Sequence, residues 1–149
     1  MLRYGFLPSD FHPLMLFLGE AEDLRRFAGL LRGYSREPRE FSFETVPFMH
    51  AAERTPVLLT TVGAEPGMRA VPTAARSFIW TLEPWRAELF AEMLVDLARP
   101  ECRSGSVMLE TAPGEVAVKV SFGEYTDDFL MKPEATGRLQ RPVNAPAGY

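Results

Sequence analysis

"RSFIWTLEPWRAELFAEMLVDLA", residues 76–98, joins a strand directly to a helix. Its opening, Phe78 to Leu82, is a short apolar run rich in branched and aromatic residues, the pattern of a buried strand. At Glu83 the pattern changes. Pro84 falls at a first-turn position, where its missing N–H costs nothing, and a helical stretch runs on to Ala98. The same order occurs once before. "PLMLFL" (13–18) reads as a strand, and "GEAEDLRRFAGLLRGY" (19–34) reads as an amphipathic helix, with acids in its first turn and Leu24, Phe27, Leu30, Leu31 and Tyr34 along one stripe.

Two strands are expected after each helix. Following the first come "REFSFETV" (39–46), where Phe41, Phe43 and Thr45 alternate with acids and serine, and the branched run "TPVLLTTV" (55–62). Following the second come "SGSVMLE" (104–110) and "EVAVKVSF" (115–122), with a turn at Ala112, Pro113 and Gly114 between them. The last of these is the clearest half-buried strand in the chain. Between the two series, "GAEPGMRAVPTAA" (63–75) has two glycines, two prolines and no usable period, and is read as a linker.

The expectation is an α+β fold of two βαββ units, one spanning about 11–63 and the other about 76–130, joined by a linker at 64–75. Antiparallel-rich sheets would carry one helix per unit on one face. Pairing the halves would bury apolar faces that neither hides alone. Register favours internal duplication: Glu20 and Glu83, and Phe27-Ala28 and Phe90-Ala91, lie 63 positions apart, while Gly63 and Gly123 lie 60 apart. Residues 1–132 would form one globular domain. The stretch 133–149, with proline, glycine and little apolar content, is expected as a flexible or surface-draped tail.

The 149 residues, 46% hydrophobic and 24% charged, are enough to bury a core without disulfides. One cysteine, Cys102, and no recognisable targeting segment point to the cytoplasm. No apolar run approaches the length of a membrane span, so no membrane partner is expected. The net charge is −4 and the 16 basic residues are scattered, which disfavours nucleic acid.

Candidate sites are few. Gly123 ends the last strand, and Glu124, Tyr125, Asp127, Asp128 and Phe129 follow it. That cluster is either strand-ending turn material or an acidic, aromatic lip suited to a basic protein partner. Trp80 and Trp85 read first as core or core-edge packing, with a ligand pocket walled by Trp80, Phe43 and Phe122 as the alternative. His12, His50 and Glu53 are weak metal candidates; His50 and Glu53 share a face only if their loop is a helical turn. Cys102 follows a helix end rather than a helix start, where a thiolate would be stabilised. No phosphate-binding glycine loop, serine elbow, paired cysteines or dinucleotide fingerprint occurs, so no catalytic residue and no cofactor are assigned.

A non-enzymatic module that binds a protein partner is therefore the leading expectation, with an unpaired sheet edge also offering a route to a homodimer. In type it is similar to the small acidic immunity proteins that neutralise basic toxins. The alternative is a small-molecule-binding or metal-dependent enzyme. For that reading, the repeat length and His12 near the first strand resemble the vicinal-oxygen-chelate proteins, whose paired modules surround a metal cup. That resemblance implies a metal held near His12, although each half here has one strand fewer and no histidine of the second half answers His12.

Overall fold

The computed structural model describes residues 1–8, 13–63, 65–74, 76–110, 116–124 and 130. The fold is α+β, with two helices and two mixed sheets. Five strands form the first sheet: β1 (Leu2–Leu7), β2 (Leu14–Leu18), β4 (Met49–Ala51), β8 (Gly105–Met108) and β9 (Ala117–Phe122), in the order β4-β1-β2-β9-β8. Four form the second: β3 (Phe41–Ser42), β5 (Val57–Thr60), β6 (Gly67–Ala70) and β7 (Phe78–Thr81), in the order β3-β5-β7-β6. Helix α1 covers Ala21–Arg36 and α2 covers Pro84–Leu97.

Four stretches depart from the sequence expectation, one of them the segment between 46 and 55, which contains β4. The linker contains β6, which pairs antiparallel with β7; Gly67 there has φ 124°, a conformation that favours glycine, and only Met68 of the strand reaches the core. The opening residues form β1, with Leu2, Tyr4 and Phe6 turned to the core and Arg3, Gly5 and Leu7 to the other face. "REFSFETV" is a strand only at Phe41–Ser42. The Ser42 hydroxyl accepts from the Glu44 N–H at 3.3 Å and Thr45 Oγ1 donates to the Ser42 carbonyl at 2.7 Å, which closes a 3₁₀ turn over Phe43–Thr45 instead.

The two halves do not keep separate sheets. β2 lies parallel to β9, and β7 lies parallel to β5, so the strand before each helix pairs with a strand that follows the other helix. Three parallel pairs (β1-β4, β2-β9, β5-β7) accompany four antiparallel ones, so the sheets are mixed and the expected antiparallel-rich arrangement holds only in part. One row across the first sheet reads Tyr4, Phe17, Val120, Val107; the matching row across the second reads Met68, Trp80, Leu59, Phe41. All eight side chains belong to or pack against one core. In this correspondence Phe17 matches Trp80 at a spacing of 63, but Leu59 matches Val120 at 61, so Gly63 and Gly123 are one residue out of step.

The helices run antiparallel. Arg25 near the start of α1 donates to the Ala98 carbonyl beyond the end of α2 at 3.0 Å, while Arg32 reaches Glu88 near the start of α2 at 3.3 Å. Glu20 and Glu83 are their N-caps. Their inward stripes have the same spacing: Leu24, Phe27, Ala28 and Leu31 on α1, and Ala87, Phe90, Ala91 and Leu94 on α2, all buried. Phe43 in the 3₁₀ turn joins the layers. Its ring meets Phe17 of the first sheet at 6.0 Å, Trp80 of the second at 6.2 Å and Phe27 of α1 at 6.3 Å, all edge-on.

Candidate functional site

Trp80 has no exposed surface. Its ring is stacked on Phe90 at 6.1 Å and meets the edge of Phe43, so it belongs to the core. The residues after β9 divide. Glu124 is half-buried, with one carboxylate oxygen wholly covered, while Tyr125, Asp127, Asp128 and Phe129 lie outside the described residues. Leu130, at the far side of that stretch, is buried against Leu16 and Leu18 on the outer face of the first sheet. Its Cδ2 would lie 3.2 Å from a Cβ added at Gly5, so a glycine at position 5 makes room for it.

That outer face also holds Lys119. Strand alternation places it between Leu16 on β2 and Met108 on β8, with Ser121 next along the same side. Burial pushes its amine down to about 8, and the Glu124 carboxylate pulls in the opposite direction. Glu124 is therefore a charge partner of the sheet as well as a part of the predicted lip.

His12 lies outside the described residues. His50 is exposed on the edge strand β4, so the helical turn that would align it with Glu53 is not present, and Glu53 forms an ion pair with Arg76. Among the described residues, no three histidine, cysteine, aspartate or glutamate side chains gather as a metal site. Cys102 is half-buried just beyond α2, with its Sγ 3.7 Å from the Asp96 carbonyl. Neither helix is long and apolar enough to cross a membrane.

Sequence reasoning assigned Trp85 to the core edge, but the structure turns it outward. Trp85 is 57% exposed and Leu89 43% exposed, one turn apart on α2. The Trp85 ring is held on two sides: its indole N–H donates to a Glu83 carboxylate oxygen at 2.9 Å, and the Arg86 guanidinium sits 4.3 Å from the ring centroid. Val62, 78% exposed, follows β5, whose last residue pairs with the end of β7 from which α2 departs. The signal was in the helical period. With Ala87, Phe90, Ala91 and Leu94 fixed as the inward stripe, positions 85 and 89 fall on the outward side.

The rest of that outward stripe is acidic. Trp85, Leu89, Glu92 and Asp96 lie at intervals of four, three and four, within about 60° of one another around the helix axis. Glu92 and Asp96 are both exposed. Glu92 makes no ion pair among the described residues, and Asp96 pairs only with the equally exposed Arg99 at 2.8 Å. The chain matches no known family model, no characterised protein and no solved structure, so its own surface chemistry carries the functional argument.

Proposed function

We propose that this chain is a non-enzymatic binding module that recognises another protein through an acidic and aromatic surface. The observation that supports the reading is Trp85. A large aromatic side chain is presented to solvent, fixed by Glu83 and Arg86 and accompanied by Leu89, and such rigid aromatic anchors dominate protein interfaces. Residues 124–129, with Tyr125, Asp127, Asp128 and Phe129, supply a second stretch of the same chemistry and are proposed as an additional contact. A cytoplasmic setting, consistent with a single cysteine, belongs to the same proposal.

The two-unit architecture is part of this reading. Duplication of a ββαββ segment accounts for the matching core rows, the N-caps 63 positions apart and the equal spacing of the inward helix stripes. After duplication only one copy of the helix, α2, would have gained an apolar outward face.

Affinity capture from a lysate of the source cells, followed by binding measurements with the purified partner, tests the function. A partner whose affinity falls at least tenfold with Trp85→Ala supports the reading, and the Asp127→Asn/Asp128→Asn variant measures the contribution of the second stretch. Equal retention by wild type and both variants would refute it.

A further inference from the structure

The two helices complement their dipoles to different degrees. α1 has Glu22 and Asp23 in its first turn and Arg36 in its last, complementing the helix dipole. α2 has an acid only at its N-cap, Glu83, none in its first turn and no base in its last, and its exposed Asp96 lies in the last turn, where the carbonyl end already concentrates negative potential, with exposed Glu92 one turn before it. α2 also departs from amphipathicity by exposing Trp85 and Leu89. The contacts these residues make, Trp85 with Glu83 and Arg86 and Asp96 with Arg99, are local and exposed, and such surface pairs add little to stability; local rules broken for little structural gain are a mark of a surface shaped for something else.

Resting on the protein-binding reading above, we infer that the outward stripe of α2 docks a basic amphipathic segment of another protein. Trp85 and Leu89 would enter its apolar side. Its lysine or arginine side chains would lie against Glu92, Asp96 and the carbonyl end of the helix, about 10 Å further along the axis at 1.5 Å per residue. Charge complementarity selects this occupant. An acidic segment would meet like charge at that end, and a neutral one would leave Glu92 uncompensated. The fixed Trp85 ring reduces the ordering cost of binding, while the acidic end raises the rate of encounter and makes it sensitive to salt.

The test is selection of phage-displayed random 16-residue peptides on the full-length protein. Titration of the enriched peptides then follows, against wild type, Trp85→Ala and Glu92→Lys/Asp96→Lys. The expected result is enrichment of peptides with net positive charge, with affinity falling at least tenfold in each variant and weakening as salt rises. Enriched peptides that need Trp85 but are neutral or acidic, and bind the Glu92→Lys/Asp96→Lys variant unchanged, would overturn the inference and leave the binding function standing. No enrichment at all would overturn both. Sedimentation showing a dimer that Leu89→Lys dissolves would also overturn it, because a second copy would then occupy the stripe. Unchanged thermal unfolding of each variant establishes that binding, not folding, was altered.

Discussion

Lys119 makes a prediction with a definite sign. Its amine has an ordinary pKa of 10.5 and is held at about 8 in the folded chain, chiefly by burial at 6% exposure. Below pH 8 both folded and unfolded chains are protonated there, and the folded state bears the whole cost of the buried charge. Between 8 and 10.5 the unfolded chain keeps a proton that the folded chain has released, so stability rises with pH; above 10.5 the cost is gone. At roughly 1.4 kcal/mol per pH unit, the full gap amounts to about 3 kcal/mol, and about 2 kcal/mol of it is recovered between about pH 7.5 and 9.5. Tyr4 and Tyr34, both pushed up to about 12 by burial, act in the other direction, since the stability from their neutral phenols is lost as pH rises from 10 towards 12. Below pH 10 the phenols do not contribute, and comparison with a variant at position 119 isolates Lys119 because every other group is common to both chains. Urea unfolding of wild type and Lys119→Met at constant ionic strength should show their stability difference shifting in favour of wild type by about 2 kcal/mol across that window. A difference that stays constant to within about 0.5 kcal/mol would refute the buried, low-pKa amine.

Glycines give predictions of opposite sign. Gly29→Ala, on α1 with nothing within 4 Å of the added Cβ, should stabilise the protein by about 0.5–1 kcal/mol in thermal or urea unfolding. Gly123→Ala should destabilise by about 1–2 kcal/mol or more, because its φ is +74° and the new Cβ would lie 2.9 Å from the Arg103 carbonyl oxygen. Phe43→Ala removes the ring that links both sheets and α1 and should cost about 3–5 kcal/mol, with loss of near-UV circular dichroism from the core aromatics. Leu130→Ala should cost about 2 kcal/mol in urea unfolding, the low end for a buried leucine because it belongs to the small outer-face cluster with Leu16 and Leu18 rather than to the main core.

The elements most legible from sequence were those whose period is set locally. The stripes of α1 and α2 and the alternation of β9 follow from which side chains avoid water, and β2, β5 and β7 announce themselves as apolar runs. β6 was hidden because Pro66 and Gly67 resemble a loop and only Met68 points inward. β1 alternates correctly, but its outward side includes Gly5 and Leu7, which blurs the contrast. Partnership between strands was not legible at all. That β9 chooses β2, and β5 chooses β7, depends on packing across the whole core, which no window of sequence contains. The surface failed for a related reason: Trp85 looks like core by composition, and only its phase against Phe90 and Leu94 shows that it faces outward.

The crossing of strands between halves also governs how the chain matures. β9, the last strand described, completes the middle of the first sheet, so during synthesis β2 must wait, one edge open, for a segment made about a hundred residues later. The first sheet cannot close until β9 has been made. The growing chain depends on delayed, long-range closure, and in that interval its bare apolar edge is exposed to aggregation and to chaperones.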